Sequence, residues 1–268
     1  MNDEQRFLPP ILAEKEYGSP SLFAPENLLR EARRQKRLPV GTAPEICILD
    51  PDGDIVASLC RSEAARQSLS WACYHTRLYE FELASRSLGI VGCAVGAPFS
   101  VLVAEQLFAS GCQFLISVSS AGQISPVRAA PYFVVIERAL RDEGTSYHYA
   151  APGAYADADA RLLERALAAL TRSGLAVLRG TSWTTDAPFR ETARAIESAR
   201  ARDILCVEME AAALYTFGAV RQRAVLCFAH VTNSMGQASR DFEKGEADGS
   251  SEALRIIGAV TEILPGCR

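Results

Sequence analysis

The apolar residues of this chain gather in short runs separated by stretches with helical spacing. Residues 46–49 (Ile-Cys-Ile-Leu) form one such run, stopped by Asp50-Pro51-Asp52-Gly53-Asp54, which reads as a strand followed by a turn. Residues 88–95 read as a second, all-apolar strand; Gly96-Ala97-Pro98 then opens a helix to about Ser110, ended by Gly111. Further strands are expected at 114–118, 131–137, 175–178, 204–207 and 224–231. From Asp157 the spacing turns helical: Leu162, Leu163, Ala166, Leu167 and Leu170 share one face, and Gly174 supplies a stop. More helices are expected at about 190–202, 209–221 and 251–263. Short strands alternating with helices predict an α/β fold, a single domain with a central mixed, mostly parallel sheet flanked by helices. Pro25 and Glu26 start one further helix inside residues 1–40, which stand as an N-terminal extension ahead of the main domain, 41–268.

Composition narrows the class. The 268 residues are 49% hydrophobic and 22% charged, which excludes wholesale disorder. A chain of this length buries roughly 70–75% of its unfolded surface, so its core needs neither disulfides nor metal. Lys plus Arg number 28 against 32 Asp plus Glu, a net charge of −4 that disfavours a nucleic-acid binder but not a pocket for a small ligand. Residues 87–104 run 18 positions without a charge, yet Gly89, Gly92, Gly96 and Pro98 make them a strand, a turn and a helix start; no membrane partner is expected. The start lacks a basic, then apolar, export signal, and the eight cysteines are scattered without a C-x-x-C pair. Both features predict reduced thiols and a cytoplasmic location.

Several chemistries fail on spacing. Gly92 to Gly96 lacks the G-x-G-x-x-G fingerprint of a dinucleotide loop. The acidic turn at 50–54 puts Gly at loop position 4 and Arg61 at position 12, so it is not a calcium loop. His75, His148 and His230 have no zinc spacing, and no metal is expected. A G-x-S-x-G elbow is absent too.

The informative segment is Val207-Glu208-Met209-Glu210-Ala211-Ala212-Ala213-Leu214-Tyr215, two carboxylates around a Met between an apolar strand and a helix. Helix N-terminal charge accounts for one Glu there. Two, directly after a buried strand, suit a ligand: a carboxylate accepts hydrogen bonds from vicinal hydroxyls, and Met offers a sugar ring an apolar wall. The segment resembles the signature of the nucleoside phosphorylase superfamily of purine nucleoside and uridine phosphorylases and methylthioadenosine nucleosidases. Four more segments match in order: residues 91–98, the turn at 117–124, the loop at 141–146, and Val231-Thr232-Asn233. Together they span about residues 46–264, and the 88–152 region is most similar to uridine phosphorylases.

The resemblance implies a catalytic domain over 41–268 that cleaves the N-glycosidic bond of a nucleoside. Glu210 would hold the ribose 2′ and 3′ hydroxyls, Met209 would pack under the ring, and Glu208 would be a second sugar-site carboxylate. Asn233 would donate to the departing base, an alternative being a structural Asn at the strand end. Phe189 would stack on the base, and Asp186 would hydrogen-bond within the base-site loop. Trp183 reads as a packing residue. Gly53, Ser119 and Ser120 would line the phosphate or water site. The family's two phosphate-site arginines correspond to Ser117 and Ala57 here, unless Arg61, Arg66, Arg77 or Arg128 replaces them. Phosphorolysis to free base and ribose 1-phosphate, with inorganic phosphate as co-substrate and no other cofactor, is the first expectation. A nucleosidase using water, with Asp54 as general base, is the second, and a non-catalytic nucleoside sensor the third. The family also implies a homodimer or homohexamer, His75 and Arg77 reaching a neighbouring subunit's site.

Overall fold

The computed structural model describes residues 8–234 and 243–263. Strand β1 (Ile46–Asp50) is buried at all five positions because it is paired on both edges. It runs parallel to β4 (Arg86–Gly92) on one side and to β5 (Phe114–Gln123) on the other. That is why the segment is continuously apolar and does not alternate. Beyond β4 the sheet ends in antiparallel β3 (Tyr79–Leu83) and β2 (Ala65–Gln67). On the far side β5 pairs in parallel with β10 (Ala224–Ser234), which pairs with β6 (Tyr132–Asp142), followed by β8 (Leu178–Thr185) and β9 (Ile204–Glu208). Strand β9 returns antiparallel to the last residues of β5, Gly122 opposite Val207, closing β5, β10, β6, β8 and β9 into a ring. A short β7 (Tyr155–Asp157) adds to β6.

Helices cover both faces. On one lie α3 (Ala97–Ala109) and α6 (Ala211–Arg221), packed on each other and apolar nearly all round. On the other lie α2 (Asp54–Arg61), α4 (Ala160–Arg172) and α7 (Ser250–Thr261), each burying one stripe. Helix α5 (Ala193–Arg200) packs on β9, and α1 (Pro25–Lys36) lies on α3. The expected α/β domain with a mixed, helix-flanked sheet is what the structure shows. No helix among the described residues is long and apolar enough to cross a membrane.

Several local readings change. The turn read at 117–124 is strand, since β5 runs from Phe114 to Gln123 with β10 beside it throughout, and β6 runs on past 137 to Asp142. The strand expected at 88–95 stops at Gly92, because Cys93 takes a left-handed conformation (φ 62°) and returns its N–H to the Asp50 carbonyl at 3.0 Å. The strand expected at 175–178 begins at Leu178 and runs on to Thr185; Leu175 belongs to the turn closing α4. Its polar residues hid it, since Ser182 and Thr184 are buried in hydrogen bonds and not in apolar packing. Helix α2 and the β2–β3 hairpin are short elements that the sequence reading did not separate from turns.

Candidate active site

Strands β1, β4, β5 and β10 point their carboxyl ends the same way, and β9 brings its own terminus to that edge. Ligands of parallel α/β sheets sit there. Glu208 is the last residue of β9, and Glu210 is the N-cap of α6.

The two carboxylates have different tasks. Glu208 is saturated by the protein: Oε1 accepts from the Ser182 and Thr184 hydroxyls, and Oε2 from the N–H groups of Glu210 and Ala211, both at 2.7 Å. Helix N–H donors and the helix dipole favour a carboxylate at this place. Burial raises its pKa against the pull of these four donors. Glu210 is held more sparingly. The Gly96 N–H donates to Oε1 and the Ser119 hydroxyl to Oε2, each at 2.7 Å, with a longer bond of 3.3 Å from the Met209 N–H to Oε2. A carboxylate offers about four lone-pair sites, so Glu210 keeps one for a further donor, and a second if the long bond from Met209 is given up. Burial and the neighbouring Glu208 charge push its pKa up to about 8. Met209 is half-buried beside it. Gly96 sits at φ 89°, ψ 149°, where a side chain is strained, so glycine lets this N–H aim at Glu210. Gly96→Ala should therefore lower the Tm by several degrees in thermal denaturation, from roughly 1–3 kcal/mol of backbone strain.

Next to this pair lies the acidic turn between β1 and α2, Asp50 to Asp54. Ser120 follows Ser119 on β5, and both its N–H and its hydroxyl donate to Asp52, each at 2.7 Å. Asp50 is buried and caps α2, accepting from the N–H groups of Gly53 at 3.2 Å and Val56 at 2.9 Å. Burial, with the nearby Asp52 and Asp54 charges, moves the Asp50 pKa up to about 7. Asp54 opens α2 and is ion-paired with Lys244 at 2.5 Å. Gly53, a candidate donor, spends its N–H on Asp50. The sites read for phosphate arginines hold no cation: Ser117 is buried, and Ala57 is exposed on α2. Arg61 is at the far end of α2, Arg66 lies near Glu80, and Arg128 stacks over Tyr132.

The remaining candidates are spread around this edge. Asn233 lies near the end of β10 opposite Gly122, its Oδ1 accepting from Thr232 at 3.3 Å. Asp186 accepts from the Gly144 N–H at 2.8 Å and ties two loops together. Phe189 stands in the 3-10 turn Pro188–Arg190 and is 99% exposed. His75, edge-on to Phe99, and Arg77 are both exposed in the loop before β3. Trp183 is buried in β8 and donates to Asp142. Sequence reasoning passed over Asp52, Thr184 and Lys244; the acidic spacing at 50–54 was the available signal for Asp52.

Residues 45–264 match the sequence profile of the phosphorylase superfamily. The chain belongs to that superfamily. As a phosphorylase-superfamily member it is similar to a uridine phosphorylase of Thermococcus kodakarensis, with 28% identity over 188 residues, 63% of this chain and 67% of that protein. Its fold matches a uridine phosphorylase of Vibrio fischeri (TM-score 0.68, 22% identity, 82% of this chain and 90% of that one). It also matches a Campylobacter jejuni 5′-methylthioadenosine/S-adenosyl homocysteine nucleosidase (TM-score 0.68, 14% identity, 83% and 100%). The superfamily fold therefore carries both phosphorylases and nucleosidases.

Proposed function

We propose that the protein cleaves the N-glycosidic bond of a nucleoside and transfers the sugar to water. The observation that carries this is the acidic turn at 50–54: Asp52 engages both Ser120 donors, and Asp50 the N–H groups of Gly53 and Val56 at the start of α2. Phosphate carries between one and two negative charges at neutral pH and needs cations or free donors. This turn offers three carboxylates, with Lys244 already paired to Asp54. Water suffers no such repulsion.

On this reading Glu210 accepts the vicinal ribose hydroxyls, and Met209 supports the ring. Once ionised, Glu210 favours the positive charge that grows on the sugar as the base leaves. Asn233 offers an amide donor to the departing base, and Phe189 and Asp186 belong to the loop beside it. An amide stabilises a leaving base but cannot protonate it. The exposed His75 and Arg77 suit a homodimer or homohexamer in which each completes a neighbour's site. The second reading, phosphorolysis giving a sugar 1-phosphate, has the Thermococcus kodakarensis uridine phosphorylase in its favour.

A panel of purine and pyrimidine nucleosides, incubated with and without phosphate and read by chromatography and phosphorus NMR, decides between them. Free base and free sugar are expected at equal rates in both conditions. A sugar 1-phosphate signal overturns hydrolysis, and binding without cleavage leaves a sensor.

A further inference from the structure

We infer that the protein carries a second ligand site, for a small ring compound bearing a phosphate, at the opposite edge of the sheet from Glu210. It occupies a cavity of about 590 Å³ between the start of α4, the end of β7 and the turn that joins α6 to β10. Strand β10 starts here at Ala224 and ends at Ser234 on the edge that carries Asn233. Helix α6 spans the same distance from its Glu210 cap to Arg221, about 16 Å at the rise of an α-helix. The site is therefore separate from the sugar carboxylates, and it does not depend on which acceptor the sugar takes.

Three guanidiniums line the cavity: Arg161 and Arg165 from α4, and Arg223 from the turn. All three are exposed, and none of their side chains has an ion pair or hydrogen bond among the described residues. Arg223 lies over the Phe108 ring at 5.4 Å, a contact that uses no N–H donor. The two carboxylates on the wall are committed. Asp157 pairs with Arg138 at 2.9 Å, and Asp159 caps α4 by accepting the Leu162 N–H at 2.8 Å.

Local electrostatics disfavour this arrangement by itself. Arg161 and Arg165 stand four residues apart on one helix face, where like charges repel. Arg161 is also the second residue of α4, at the end of the helix dipole that favours negative charge. Positions that break local rules without a compensating partner in the fold are expected at functional sites. An anion among the three forks offsets both costs. One guanidinium satisfies a carboxylate, whereas three suit the several oxygens and the higher charge of a phosphate group.

The floor defines the rest of the ligand. Leu162, Tyr215 and Val225 are buried beneath the cavity, and the Tyr215 hydroxyl is spent on the Ile136 carbonyl at 2.5 Å. The floor is thus apolar and suits a flat ring, with the phosphate held at the rim. A cavity of this size accommodates a nucleoside monophosphate.

Calorimetric titration of the full chain with uridine monophosphate, adenosine monophosphate and inorganic phosphate tests the site. At least one monophosphate should bind at one equivalent and at least about tenfold tighter than inorganic phosphate, from burial of its ring. The double variant Arg161→Ala, Arg165→Ala changes exposed positions where alanine suits a helix. It should weaken monophosphate binding by at least about tenfold, the value of one hydrogen bond to a charged group, and Arg223→Ala should act in the same direction. Nucleoside cleavage by these variants should match wild type, and Glu210→Gln should leave monophosphate binding unchanged. Absence of saturable binding by either monophosphate overturns the site. Binding that the arginine variants leave unchanged, or that Glu210→Gln abolishes, overturns it too. Inorganic phosphate binding as tightly as the monophosphates overturns the assignment of a ring to the floor.

Discussion

Glu210→Gln should lower kcat/KM for nucleoside cleavage by roughly 10²- to 10⁴-fold, the value of two hydrogen bonds to a charged group at about 1.5–3 kcal/mol each. The variant can turn its amide N–H toward the Ser119 hydroxyl, which is able to accept, and keep its oxygen on the Gly96 N–H, so the loss is that of the charge and of one acceptor oxygen. Steady-state kinetics with a ribonucleoside and its 2′-deoxy analogue check the cause: wild type should discriminate between them, and the variant should not. The pH dependence follows from burial. The Glu210 pKa is raised from 4.5 to about 8 by burial and the Glu208 charge. The folded protein therefore holds a proton that the unfolded chain releases. That contribution to stability is complete below the ordinary carboxylate value and is lost as pH rises through about 8. Asp50, moved from 3.8 to about 7, acts with the same sign. Thermal denaturation of ligand-free protein should show Tm falling between pH 5 and 9. Nucleoside affinity should rise over the same range, because the hydroxyls are accepted by the ionised form. A flat affinity profile would count against Glu210 as the sugar ligand.

Glu208→Ala should produce the largest loss of stability. It removes a buried carboxylate with four donors and strands the N–H groups of Glu210 and Ala211 at the start of α6. Such a removal costs about 3–5 kcal/mol, a Tm decrease on the order of 10 °C for a chain this size. Glu208→Gln should be far milder. Its amide can face the Ser182 and Thr184 hydroxyls, which are able to accept, while the remaining oxygen serves the two N–H groups. Thermal denaturation of both variants checks this. If Glu208 instead gripped the sugar, Glu208→Gln would lose nucleoside affinity while keeping its Tm.

The difference between the two glutamates explains what was legible in the sequence. The Glu-Met-Glu spacing at a strand–helix junction was visible, since an apolar run and an Ala-rich helix bracket it. Which carboxylate turns inward depends on Ser182 and Thr184, and these lie on a strand whose polar residues do not alternate with apolar ones. The central strands were readable because both their edges and faces are covered, which forces continuous apolar runs. Asp52 and Asp54 are alike in local sequence. Only the fold brings Ser120 to one and Lys244 to the other, across 68 and 190 positions of chain.

The acidic turn also constrains how this scaffold could change its chemistry. An arginine introduced at 57 would stand on α2 within a field set by Asp50, Asp52 and Asp54, and its first partner would be a carboxylate of the protein. At Ser117 the side chain is buried in β5 between β1 and β10, with no room for a guanidinium without repacking. On the hydrolytic reading, gaining phosphate chemistry would take at least two changes in order, first the release of Ser120 from Asp52 and then the gain of a cation. Between them the turn would hold open donors and no positive charge, so the first change alone would seat phosphate poorly.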